Sequence, residues 1–181
     1  MNIIDALVAH HGDLRRLYMQ SETDSGVFDE FIHHLVVHHT MEEKYFYDLL
    51  QQVSEAQHDA LEAVNEHHII ELIIKDSEGF PRDHEHFPIK IEGLGEYTTH
   101  HLDEEETVIF PMARQFFSAE DLNTLGALFL EAKDKLLGVV LPAVPGTIAV
   151  RVSKQPKRSP TPVTQAENPT AYGLGIGSLK Q

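Results

Sequence analysis

Two short strings constrain this chain more than any other feature: His38-His39-Thr40-Met41-Glu42-Glu43 and His101-Leu102-Asp103-Glu104-Glu105-Glu106. Each sets a glutamate four residues after a histidine, which on a helix puts an imidazole and a carboxylate on one face, a turn apart. One such pair is common on a solvated helix. These two interrupt apolar stripes at helical spacing, one through Phe28, Phe31, Leu35, His38, Glu42, Tyr45 and Leu49, the other through Leu94, Thr98, His101, Glu105, Val108 and Met112. Such stripes face a core, where an ionisable group must be paired or bound to a metal. The same intrusion on two helices predicts a buried metal site.

The rest of the chain supplies the helices that such a site needs. Residues 1–20 read as a helix capped by Asn2, with Ile4, Leu7, His11, Leu14 and Tyr18 on one face, and a loop follows over 20–26. A second helix is predicted from about Val27 to Val53. A capping box at Ser54-Glu55-Ala56-Gln57 is expected to open a third helix that runs to about Asp76. After a loop rich in Gly and Pro, a fourth helix covers about Ile89 to Phe117, and Ser118 to Asp121 caps a fifth that ends near Gly138. No convincing period-2 segment occurs in the first 137 residues. The fold class expected is therefore all-α: an up-down-up-down four-helix bundle with an additional C-terminal helix. Residues 138–181 hold six of the nine prolines and are expected to form an extended or disordered basic tail, with GTIAVRV as a possible short strand.

Counting from the loop midpoints, His11, His38, His67 and His101 fall at matching heights in antiparallel helices to within three or four residues, or ~5–6 Å. Glu42 and Glu105 lie at the same level. The rival pairs Glu30/His33 and Glu55/His58 would stand ~26 Å apart along the bundle, so they read as solvated faces. Every candidate histidine belongs to a doublet, which leaves the register to settle. On the fourth helix the frame through His101 is apolar, whereas that through His100 meets Glu104, Thr107 and Pro111. On the second helix a frame through Ile32, Val36, His39, Glu43, Phe46 and Leu50 is as apolar as that through His38. Periodicity likewise leaves His10 against His11, and His67 against His68, open.

Composition removes several chemistries. The absence of cysteine excludes disulfides, thiolate ligands and cysteine nucleophiles, so any metal must be held by nitrogen and oxygen. Residues 1–140 carry a net charge of −19 and residues 141–181 a net +4. An acidic body repels phosphate backbones, which argues against nucleic-acid binding. No run of 18 apolar residues and no signal-peptide pattern occurs, so no membrane association and a cytoplasmic location are expected.

Residues 1–137 resemble a hemerythrin-like (HHE) cation-binding domain. The matching motifs are His11 in HHGDL, His38 with Glu42 in HHTMEE, His67 in EHHII, and His101 with Glu105 in HLDEEETVIFP. The resemblance implies that these six residues are the metal ligands, and its aromatic positions favour His38 over His39. Oxygen-carrying hemerythrins have a further histidine four residues after the third-helix histidine, where this chain has Glu71. The pattern is closer to the iron-sensing, iron-repair and peroxide-handling branches, although the Cys-containing N-terminal segment of the repair branch is missing.

Imidazole and carboxylate suit Fe, Mn, Zn or Cu. Two non-haem iron ions bridged by Glu42 and Glu105 would keep open positions for a small oxidant (O2, peroxide or NO), with Glu71 as a candidate for one of them. A protein that binds or turns over such an oxidant is the leading expectation, with a catalase-like activity as one form. An iron- or oxygen-responsive module or an iron-handling protein is the alternative. Tyr18, Tyr45 and Tyr97 are candidates to line the pocket but read first as packing. His34 is a candidate supporting group, His84 and His86 are expected at the surface, and the unused doublet histidines are expected on helix flanks.

Overall fold

The computed structural model describes residues 1–138. Helix α1 (Ile3–Ser21) begins where the Asn2 side chain accepts the Asp5 backbone N–H at 2.9 Å, as its sequence predicts. Helix α2 (Phe28–Glu42) passes through a π-helical turn (Glu43–Tyr47) into a short α3 (Asp48–Leu50). Helix α4 (Gln57–Ser77) follows. Helix α5 (Phe87–Glu104) passes through a second π turn (Glu105–Ile109) into α6 (Phe110–Phe116), and α7 (Ala119–Leu137) closes the described chain.

The all-α bundle with its extra helix stands as expected. One local expectation fails. Ser54 donates its hydroxyl to Glu55 instead of capping a helix, and α4 starts at Gln57 with no side-chain cap. The box at α7 does form, with Ser118 and Asp121 satisfying each other's backbone N–H groups. Gly138 ends α7 at φ 68°, a left-handed conformation that glycine adopts without a Cβ clash. The predicted tail and its candidate strand lie outside the described residues.

The two π turns correct the stripes read from sequence. A π turn inserts one residue, so the face turned inward moves on by one position. Beyond Glu42 the buried residues are Phe46, Tyr47 and Leu50, not Tyr45 and Leu49; beyond Glu105 they are Ile109, Phe110 and Ala113, not Val108 and Met112. A strict 3.6-residue reading could not carry through either insertion.

The apolar core forms two clusters. One contains Leu14, Leu17, Phe28, Phe31, Leu35, Ile70, Phe87 and Leu94, and the other contains Ile3, Leu7, Met41, Phe46, Leu50, Ala63, Phe110 and Phe129. His10, His11, His38, His39, Glu42, His67, His101 and Glu105 are the buried imidazoles and carboxylates among the described residues. Helix α7 packs across both α1 and α2. At Gly126 the approach is so close that a Cβ would lie 2.4 Å from the Met1 carbonyl oxygen and 2.7 Å from the Ile3 nitrogen, which only glycine allows. No helix among the described residues is long and apolar enough to cross a membrane.

Candidate metal centre

The six residues singled out from sequence come together. His11, His38, Glu42 and Glu105 offer donor atoms all within 4.8 Å of one another, and so do Glu42, His67, His101 and Glu105. The two glutamates belong to both groups. Glu105 has Oε2 at 3.3 Å from His11 Nε2 and Oε1 at 3.3 Å from His101 Nε2. Glu42 Oε2 lies 3.3 Å from His38 Nε2 and 3.6 Å from His67 Nε2. Within each group the two imidazoles stand nearly perpendicular, at 81° for His11 and His38 and 76° for His67 and His101.

Three of the four histidines are oriented from behind by carboxylates that the sequence reading did not place. His11 Nδ1 pairs with Glu106 Oε1 at 2.8 Å, His67 Nδ1 with Glu43 Oε1 at 2.9 Å, and His101 Nδ1 with Glu66 Oε2 at 2.7 Å. A carboxylate accepts, so in each pair Nδ1 carries a proton and Nε2 is the nitrogen left facing inward. Glu106 is itself held by Arg15 Nη1 at 2.7 Å. The signal was present in the sequence: each of these glutamates adjoins a candidate ligand, about 100° round the helix from it, and so reaches a neighbouring helix. Tyr47 was also missed, because the π turn, not periodicity, turns it inward. Its hydroxyl donates to Glu105 Oε1 at 2.6 Å. Of the tyrosines proposed from sequence, Tyr97 is exposed, Tyr45 is half-buried beneath Lys44, and Tyr18 packs on Phe31.

The doublets resolve in two ways. His68 and His100 lie exposed on helix flanks as expected, whereas His10 and His39 are fully buried. Helix α2 packs against α1, α7 and α4, so His38 and His39 are both buried and face different partners, while Val36 of the second frame stays exposed. His39 stacks flat on His67 at 3.9 Å and 9°. Its donor atom lies within 4.8 Å of those of His67 and His101, but parallel stacked rings do not aim at one point. His10 stands edge-on to His38 at 5.0 Å and against Phe129, while half-buried His34 lies 5.7 Å from His10. Glu71 points outward beside Lys75, with 42 % of its side chain exposed. His84 and His86 are exposed.

Electrostatics separate the groups further. Burial, then the charge of Glu105, pushes Glu42 well above the usual carboxylate range. Burial acts against a charged Glu105 as well, but His101 and His11 outweigh it and hold it well below. Burial also opposes a charged His101, yet Glu105 and Glu66 lift it to about 9. His38 and His39 are pushed well below their ordinary value, first by burial and then by neighbouring imidazoles.

Both Glu42 oxygens, Glu105 Oε2, both His38 nitrogens and the Nε2 atoms of His11, His67 and His101 lack a hydrogen-bond partner. Each buried polar atom left unmet costs about 1–3 kcal/mol. Cations among these nitrogens and carboxylate oxygens would satisfy all but His38 Nδ1, so the residues present fit a metal centre. The hemerythrin HHE cation-binding domain matches residues 2–113. Among curated proteins and solved structures, none matches the chain. A family match across more than half the chain, over a bundle whose buried histidines and glutamates have the donor set of a cation site, places this protein in the hemerythrin HHE cation-binding domain family.

Proposed function

We propose that this protein holds two non-haem iron ions, one between His11 and His38 and the other between His67 and His101, with Glu42 and Glu105 shared by both. The ions would serve the binding or reduction of a small oxidant (O2, peroxide or NO). The observation that carries this reading is the sharing itself: two four-donor groups have the same two glutamates in common. Iron bound there supplies redox-active Lewis acidity. The rest of the work belongs to the chain.

Glu43, Glu66 and Glu106 fix the tautomer of three imidazoles and aim each Nε2 inward. The Tyr47 hydroxyl holds Glu105 Oε1 and keeps a proton beside the site, since burial and then Glu105 raise its pKa well above the ordinary phenol value. Phe110, stacked on His11, and Phe46, packed on Phe110, are buried and lower the local dielectric, which strengthens charge interactions beside them. Among oxidants, reaction ranks above reversible carriage, because the position where oxygen carriers have a further histidine is Glu71, which points outward.

Anaerobic titration of the metal-free protein with Fe(II) should end at two ions per chain. Folded protein that takes up none overturns the proposal. Peroxide consumption by the loaded protein is then the activity to measure, and turnover that survives His101→Ala would belong to a contaminant.

A further inference from the structure

The bundle repeats one pattern in its two helix pairs. His11 of α1 corresponds to His67 of α4, 56 residues on, and His38 of α2 to His101 of α5, 63 residues on; the same offsets pair Glu42 with Glu105 and Glu43 with Glu106. The seam between the helices of each pair can therefore be compared position by position. Between α4 and α5, a pocket of about 40 Å³ reaches inward from the surface, a volume that holds a water or a small ion. Its walls carry four carboxylates, Asp59, Glu62, Glu66 and Glu104, and its floor is His101 and Glu105. Both floor residues are buried, and each keeps an unpartnered donor atom, Nε2 on His101 and Oε2 on Glu105.

At the equivalent positions of the α1–α2 seam stand Ile3 for Asp59, Ala6 for Glu62, His10 for Glu66 and Met41 for Glu104. All four are buried. They lie under α7, whose Leu122 and Phe129 share a cluster with Ile3, Ala6 and Met41. One seam is thus roofed and apolar, and the other is open and acidic. Ordinary surface solvation does not account for the difference, since the four acid residues line one pocket together with the buried His101 and Glu105. At the mouth, exposed His58 adds a nitrogen within 4.8 Å of donor atoms on Asp59 and Glu62.

We propose that the α4–α5 seam is the route by which divalent transition-metal cations reach the centre, with His58, Asp59 and Glu62 as the first contact and Glu104 as the next. This rests on the metal-binding reading above. Carboxylates converging on a narrow, low-dielectric opening raise the local cation concentration and its rate of capture. Capture is a rate effect, so the route should govern how fast the centre fills and not how much it holds.

The test is stopped-flow uptake of Co(II) by the metal-free full chain at low salt, followed by visible absorption. The triple variant Asp59→Asn, Glu62→Gln, Glu104→Gln should load at least about tenfold more slowly and reach the same final stoichiometry. Neutralising exposed Asp83, Glu85 and Glu120, which do not line the pocket, should leave the rate near that of the wild type. Val108, 49 % exposed on the pocket wall, allows a second series that leaves the acid residues intact, in which Val108→Glu should load faster and Val108→Lys more slowly. Rates that are equal in all variants overturn the route. A lower final stoichiometry in the triple variant also overturns it, since those groups would then be holding the ion. Wild-type protein that takes up no Co(II) or Fe(II) speaks against the metal-binding reading instead.

Discussion

The two halves of the candidate centre carry the same residue types in different surroundings. On the α1–α2 side, His11 stacks on Phe110, and His38 stands against neutral His10, which meets Phe129 of the roofing α7. On the α4–α5 side, His67 and His101 have glutamates behind both imidazoles, with His39 and the Tyr47 hydroxyl close by and an acidic pocket leading in. The geometry of donors is nearly symmetric and their polarity is not. Ligand motifs alone therefore say little about how such a site fills or reacts, because the residues that distinguish its halves lie outside the motifs.

The largest effect should come from the residues common to both halves. Glu42→Gln and Glu105→Gln each remove a shared charge, and metal analysis should find more than one ion per chain lost, against one for His11→Ala or His67→Ala. Unchanged metal in both Gln variants, with helicity intact, would mean that other carboxylates do the bridging.

Next is the roof. Gly126→Ala drives a Cβ into the backbone of Met1 to Ile3 and should cost about 2–4 kcal/mol, as overpacking and backbone strain do, read as a lower denaturation midpoint. A midpoint within error of wild type would show that α7 is not seated as described.

Smaller changes are expected behind the imidazoles. Glu43→Gln, Glu66→Gln and Glu106→Gln should each weaken metal affinity about 10- to 100-fold, with Glu43 and Glu66 acting on the α4–α5 side and Glu106 on the other. His10→Gln, which removes no charge, should change affinity less than any of them.

The smallest effect concerns pH. Burial, then Lys133, lowers His10 to about 3, so the folded chain keeps it neutral while the unfolded chain protonates it below 6.5. Its contribution is absent above pH 6.5 and grows more unfavourable as pH falls, at up to about 1.4 kcal/mol per pH unit. Metal-free His10→Gln should consequently lose stability less steeply between pH 6.5 and 5. Parallel slopes would show that His10 titrates normally.

Much of this was legible in the sequence because long amphipathic helices and His-x-x-x-Glu spacing are local signals. Asn2 and Ser118 mark helix starts through bonds made three residues away, and helix rise with loop positions brought the histidine doublets and the two glutamates to one height, while the family resemblance chose His11, His38 and His67 within their doublets. What stayed hidden depends on non-local packing or on broken periodicity. His39 is buried because α2 is covered on two sides, which no single stripe reveals. Tyr47 replaces Tyr45 because each π turn adds a residue, and Glu66 matters only because α5 lies beside α4. The exposed position of Glu71 follows from how α4 is rotated against α5, a choice the doublet at His67 and His68 left open.

The contact at Gly126 also bears on the order of assembly. It joins the first residues of the chain to a helix more than a hundred positions later, and bringing such distant segments together comes after local pairing. During synthesis α1 and α2 can pair early, yet their apolar seam has no cover until α7 has been made. The half of the centre that is sealed in the finished protein is thus the half that stays exposed longest while it forms.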